Sequence, residues 1–159
     1  MIVILYNIRS LYNVGSVFRT ADAVGVEKIY LCGITPAPLD RFGKLRPQLA
    51  KVSLGAERFV KWKKRQATSR LIDELKKDGY KIFAVEQDDN SVPYYKINIS
   101  ASDVDKLVLV MGNEVRGLSS AILKKADKIL EIPMKGRKES LNVSVAFGVI
   151  AYFLKFGRK

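Results

Sequence analysis

The chain reads as a single α/β domain, residues 1–159, with a mostly parallel sheet and helices on both of its faces. Three observations point there. Short apolar runs alternate with helix-period segments along the whole length. One run, "KLVLVMG" at 106–112, is apolar without a break, the pattern of a strand buried on both faces. No repeat, low-complexity tract or linker interrupts the alternation, and 159 residues at 48% hydrophobic composition are enough for one real core.

Taken in order, "IVILY" (2–6) is the first strand. The helix after it carries "NVGSVFRTADAVG", from Asn13 to Gly25. At 100° per residue, Val14, Val17, Phe18, Ala21 and Val24 stack into one apolar stripe, and Gly25 stands where a helix ends. The other side is unusual: Gly15, Ser16 and Ala23 surround one long cation, Arg19, so the outer face is predicted to be nearly bare. "KIYLCG" (28–33) is the second strand, and the connection beyond it sets Pro36, Pro38 and Pro47 against regular structure. "LAKVSLGA" predicts a short helix, "RFVKWKK" alternates as a strand, "SRLIDELKKDG" is a helix ending at Gly79, and "KIFAVEQ" is the next strand. Beyond a loop holding Pro93 come "KLVLVMG", a short helix "SSAILKKA" with Ser119 as its cap, and the strand "KILEIPM" (128–134). The closing helix runs from Ser140 to Phe156. It is apolar on too many sides for a lone surface helix, so either its own subunit encloses it or a partner covers part of it.

Composition excludes several chemistries. There is no histidine, which removes Ser-His-Asp triads, Cys-His pairs and histidine metal sites, and no metal is expected. The single cysteine, Cys32, rules out an internal disulfide, fits a reducing intracellular setting, and in its apolar run reads as core rather than nucleophile. "MIVILYN" lacks the length and charged flank of a signal peptide, and the longest apolar stretch, "LNVSVAFGVIAYFLKF", falls short of the ~20 residues of a membrane span. A soluble, cytoplasmic protein without membrane contact is therefore expected. The net charge is +12, and it is uneven: nine of the basic residues and a single acid, Glu57, fall between Arg41 and Arg65. Clustered cations fit a nucleic-acid binder, although a merely basic solvated surface has the same composition. Within this stretch Trp62 either stacks on a base or belongs to the core.

In open α/β sheets, ligands bind where the chain leaves the carboxyl ends of the strands. Three such exits carry unusual residues: "NIRSLYNVG" leading to Arg19, "MGNEVRGLS" (111–119), and "IPMKGRKESLNVS" (132–144). Gly112 would let a ligand approach the backbone and Gly117 would allow a turn with positive φ. Pro133 withholds a backbone N–H, while Ser140 and Asn142 can bond either the helix start or a ligand. Each also has a plain structural explanation: Glu114 pairing with Arg116, Ser140 capping a helix, Gly112 making a turn.

Together, "NVGSVFRTADAVGV", "LVMGNEVRGLS" and "IPMKGRKESLNVSVA" resemble the SpoU (TrmH) family of the SPOUT class of RNA methyltransferases, in that family's order and spacing and over nearly the whole chain. The resemblance implies a C-terminal trefoil knot and a site for S-adenosyl-L-methionine held by Gly112, Asn113, Ile132, Met134 and Leu141. It implies methyl transfer to a ribose 2′-hydroxyl of structured RNA, tRNA or rRNA. Arg19 then lies beside the acceptor ribose, gripping the adjacent phosphate and favouring the developing alkoxide, with Asn13, Glu114, Ser140 and Asn142 orienting it. A guanidinium, with pKa above ~12, is a poor base. The resemblance also implies a homodimer, and it answers the bare helix face: Gly15, Ser16 and Ala23 would leave room for RNA or a second subunit. Many relatives carry an RNA-binding extension before this domain. Here the first strand begins at residue 2, so RNA capture is expected to rely on the domain itself, through 41–65. Two other functions stay open: a non-catalytic RNA-binding protein of the same fold, and an enzyme methylating an RNA base.

Overall fold

The computed structural model describes residues 1–157. Seven strands form one sheet: β1 (Ile2–Tyr6), β2 (Lys28–Cys32), β3 (Lys61–Arg65), β4 (Lys81–Val85), β5 (Val92–Pro93), β6 (Leu107–Met111) and β7 (Lys128–Glu131). Their order is β3-β2-β1-β6-β4-β7-β5, and every pairing between them is parallel. Six α-helices connect them: α1 (Leu11–Val24), α2 (Pro47–Ser53), α3 (Thr68–Lys77), α4 (Ala101–Asp105), α5 (Ser120–Leu123) and α6 (Val143–Phe156).

Strand alternation divides the core in two. Val3, Leu5, Ile29, Leu31, Leu107, Leu109 and Met111 point to one face, where Phe18 of α1, Leu49 of α2, Val104 of α4 and Phe147 and Ile150 of α6 cover them. Ile2, Ile4, Ile82, Ala84, Val108 and Val110 point to the other, under Leu71, Ile72 and Leu75 of α3 and Ile122 of α5. Helices therefore lie on both faces, and β6, between β1 and β4, is buried along its whole length. Each fully buried aliphatic side chain contributes about 1.5–3 kcal/mol. β3, at one edge, alternates Trp62 toward the core with lysines, charges that discourage strand addition there. Trp62 is half-buried against the core, which is the structural one of its two roles.

Several local expectations are corrected. Ser10 caps α1 by accepting from Asn13 N–H, so that helix opens at Leu11, ahead of Asn13. Gly15 is not on the bare face. It is buried, and a Cβ there would meet Val52 Cγ2 at 2.4 Å and the Leu49 carbonyl at 2.7 Å, because α2 packs closely across that flank of α1. Pro47 begins α2 at its first position, where a missing N–H costs nothing, instead of opposing regular structure. Ser119 stands at the start of α5 without a side-chain capping bond. α6 opens at Val143 because Asn142 caps it, leaving Ser140 in the loop before it.

Cys32 is fully buried, and burial pushes its thiol up to about 11, so it stays neutral and inert, as a core residue should. α6 buries Phe147, Ile150, Ala151 and Leu154, yet Val145, Val149, Tyr152 and Phe156 form a second apolar stripe that the chain leaves uncovered. Among the described residues, no helix is long and apolar enough to cross a membrane.

Candidate active site

The sheet order reverses at its centre: from β1 the chain builds outward through β2 and β3, and β4 then lies on the far side of β6. The loops leaving β4, β6 and β7 converge on a cavity of about 400 Å³ at this carboxyl edge. Of the ten residues singled out in the sequence, Gly112, Asn113, Glu114, Ile132, Met134, Ser140, Leu141 and Asn142 line it. Asn13 and Arg19, both on α1, do not.

Asn13 is nonetheless bonded to the cavity wall. Its amide nitrogen donates to Glu114 Oε1 at 3.0 Å, and its amide oxygen accepts from Asn142 Nδ2 at 3.0 Å. Glu114 also accepts from the backbone N–H groups of Arg9 (3.1 Å) and Ser10 (3.2 Å). Three loops, remote in sequence, are thus knitted by one Glu–Asn–Asn chain. Burial alone would raise the Glu114 carboxyl, but the hydrogen bonds from Asn13 and from backbone N–H groups outweigh it and hold the group below its ordinary value. Glu114 is therefore an anion whose acceptor positions are taken, a positioning group and a poor base. Its partner is this hydrogen-bond set rather than Arg116.

The turn after β6 is fixed from both sides. Asn113 Oδ1 accepts from the N–H groups of Val115 and Arg116, both at 2.9 Å, and its Nδ2 donates to the Asn7 carbonyl at 2.7 Å. Gly117 closes the turn with φ +61°, as its sequence predicts. Gly112 lines the cavity, and its missing side chain also makes room for the returning turn: a Cβ would meet Gly117 C at 2.7 Å and Leu118 N at 2.9 Å.

Arg19 is exposed on α1, in line with Tyr12, Ser16 and Ala23, and no described residue forms an ion pair or hydrogen bond with it. An exposed, uncommitted guanidinium is available to an external anion.

Sequence reasoning missed the fourth exit. Glu86, immediately after β4, accepts from Leu118 N–H at 2.8 Å and from Gln87 N–H at 3.0 Å, and it lines the cavity. Gln87 Nε2 donates to the Glu139 carbonyl at 2.6 Å and ties down the loop after β7. Glu131 lines the cavity as well, accepting from Ser91 Oγ at 2.9 Å. The signal was present, since "EQDDN" also follows a strand's carboxyl end. The described lining holds three carboxylates, Glu86, Glu114 and Glu131, and neither lysine nor arginine.

Fold and site together define a doubly wound α/β domain with a ligand cavity at the switch point of its sheet, the place where nucleotide-like molecules are held. The sequence model of the SpoU rRNA Methylase family matches residues 1–152, and the chain belongs to that family. It is 36% identical over 151 residues to a putative TrmH family tRNA/rRNA methyltransferase of Staphylococcus haemolyticus, covering 95% of this chain but only 56% of that protein. The TrmH/SpoU tRNA modifying enzyme of A. aeolicus superposes with a TM-score of 0.82 at 32% identity, over 97% of this chain and 73% of its own. An rRNA methyltransferase of Sinorhizobium meliloti, solved with AdoMet bound, gives 0.83 at 29% identity over 96% of this chain and 54% of its own.

Proposed function

We propose that this chain transfers a methyl group from S-adenosyl-L-methionine to a ribose 2′-hydroxyl of tRNA or rRNA. The observation that carries the reading is the cavity itself, an acidic-lined pocket in a protein of net charge +12, with the Asn13–Glu114–Asn142 chain at its edge. The residues fit the cofactor. The volume is in the usual range for such ligands, ~300–1,000 Å³. Three carboxylates and no cation suit a ligand that carries a positive sulfonium.

Gly112, Asn113, Ile132, Met134 and Leu141 would hold it, the glycine and aliphatic residues through backbone groups and apolar contact. When bound, the cofactor supplies an electrophilic methyl carbon. The chain's own residues do the rest. Asn13, Ser140 and Asn142, held by Glu114, orient the acceptor ribose, a placement that lowers the barrier by removing orientational freedom. Arg19 grips the neighbouring phosphate and favours negative charge as it develops on the ribose oxygen.

A second copy of the chain completes this reading. The uncovered stripe of α6 and the small residues Ser16 and Ala23 beside Arg19 support a homodimer in which α1 and α6 meet the partner and Arg19 enters a shared cleft. The trefoil knot belongs to the same reading. β6 and β7 each lie between strands formed earlier in the chain, an order compatible with a chain end drawn through a loop.

Titration calorimetry with S-adenosyl-L-methionine, followed by nucleoside analysis of tRNA and rRNA incubated with protein and cofactor, tests the proposal. Binding heat and 2′-O-methylnucleosides are expected. Absence of heat identifies a non-catalytic RNA binder, and a methylated base identifies a different acceptor; either result overturns the proposal.

A further inference from the structure

The connection between β2 and α2 is an ordered turn. Leu39 and Leu45 pair in an antiparallel bridge, and Asp40 N–H donates to the Lys44 carbonyl at 2.8 Å. Asp40 Oδ1 accepts from the N–H groups of Phe42 (2.8 Å) and Lys44 (2.9 Å). The root of the turn is fixed to the first loop of the candidate active site. Ile34 N–H donates to Asn7 Oδ1 at 3.1 Å, and the buried Thr35 hydroxyl accepts from Ile8 N–H at 3.0 Å while donating to the Leu5 carbonyl at 2.8 Å. Lys64 holds the carbonyls of Gly33 and Thr35 from below.

At the tip stands Phe42, 71% exposed. The Arg41 guanidinium lies over its ring, 4.7 Å from the centroid, and Lys44 is exposed beside it. The only carboxylate of the turn, Asp40, is occupied by the turn's own N–H groups. A rigid loop therefore presents an aromatic face between two cations, at the same sheet edge as the cavity.

We propose that this turn is a base-stacking finger: Phe42 stacks on an unpaired base of the RNA substrate while Arg41 and Lys44 hold the flanking phosphates. The inference rests on the RNA methyl-transfer reading above. A phenyl ring offers a π-face and no hydrogen-bonding edge, so it accepts any base. It reaches only bases free of neighbours, in loops, bulges and ends, because bases within an A-form duplex are already stacked. The finger thus selects single-stranded elements without reading their sequence. It takes the role that Trp62, half-buried against the core, cannot fill.

Fluorescence anisotropy of the full chain with two labelled RNAs tests this: a hairpin with a single-stranded loop, and its stem alone as a blunt duplex. Phe42→Ala and Phe42→Leu weaken hairpin binding by about 5- to 100-fold, the range of one lost base stack, while Phe42→Tyr and Phe42→Trp keep it. Duplex binding, made through phosphates, changes less than about two-fold in all four variants. Unchanged hairpin affinity in Phe42→Ala and Phe42→Leu overturns the proposal. Equal losses on hairpin and duplex do so too, and so does a fall in oligomer mass on sedimentation, which would place the ring against a second copy. Wild-type protein that binds neither RNA overturns the RNA reading itself and is thereby told apart from failure of the finger.

Discussion

Replacing Glu114 by glutamine probes the joint on which the candidate site depends. The carboxylate accepts three hydrogen bonds, from Arg9 N–H, Ser10 N–H and Asn13 Nδ2, joining the turn after β6 to the loop after β1. An amide keeps one oxygen and presents an NH₂ where the other stood, so at least one N–H loses its acceptor. A bond to a charged group is worth about 1.5–3 kcal/mol when shielded, but Glu114 is exposed and solvent replaces part of what is lost, which leaves on the order of 1 kcal/mol. For a domain of this size that is a fall in Tm of roughly 2–4 °C at pH 7.

The pH dependence is the sharper readout. The folded carboxyl sits below its ordinary value, so its stabilising share is fully present above the unfolded pKa of about 4.3 and disappears as pH falls through the lower folded pKa. Thermal denaturation of both proteins from pH 7 down to pH 3 should show the gap in Tm closing below about pH 4, the other carboxylates being common to both. A gap that is constant with pH, or absent at pH 7, refutes the assignment of Glu114 as an ionised anchor.

Three further outcomes are expected. Arg19→Ala lowers methyl transfer by at least ~100-fold, the scale for losing one group that stabilises a developing oxyanion, yet changes S-adenosyl-L-methionine affinity by no more than about three-fold in calorimetry, because Arg19 does not line the cavity. Gly117→Ala raises the cofactor Kd about ten-fold or more by calorimetry: φ is +61° there, and a Cβ would lie 2.1 Å from Glu86 Oε2, so the turn must move, at a strain cost on the order of 1–3 kcal/mol. Val149→Arg, on the uncovered face of α6, leaves the fold intact but converts a dimer to a monomer in sedimentation velocity, and transfer activity falls with it.

The legible parts of this chain are those with a local signature. "LVLVM" announces a strand covered on both sides, and the stripe Val14–Val17–Phe18–Ala21–Val24 announces one face of α1; both are buried as expected. Strand order was not legible. β1 and β6 are apolar throughout and β4 after its first residue, and nothing in "KLVLVMG" says that it inserts between β4, where Lys81 is the partner of Leu107, and β1, where Ile2 is the partner of Val108. Gly15 misled because a residue without a side chain gives no hydrophobic signal, whether it faces water or, as here, the backbone of α2. Convergence of Gly112, Ile132 and Leu141 on one cavity came through resemblance alone, since spacing does not reveal which strand ends are neighbours. Glu86 was missed for the opposite reason: its position after a strand was visible, but a lone acid ahead of "QDDN" looks like any solvated loop.

The distribution of charge links the two halves of the proposed reaction. The cofactor brings a positive sulfonium and the RNA a negative backbone, so a surface that attracts one tends to repel the other at short range. This chain separates the two fields. The described lining of the cavity has Glu86, Glu114 and Glu131 with no cation, while Arg9, Arg19, Arg41, Lys44, Arg116, Lys135, Arg137 and Lys138 are exposed outside it. Cavity carboxylates farther than a Debye length of about 8 Å from the approaching backbone are largely screened, and the net charge of +12 that RNA meets from solvent is set by the excess of exposed cations. A cofactor bound in the proposed site would meet the same acids at close range, where each contributes more. The excess of basic over acidic residues thus lies outside the cavity lining, and a site built of carboxylates is compatible with it because Glu86 and Glu114 accept from backbone N–H groups and Glu131 from the Ser91 hydroxyl.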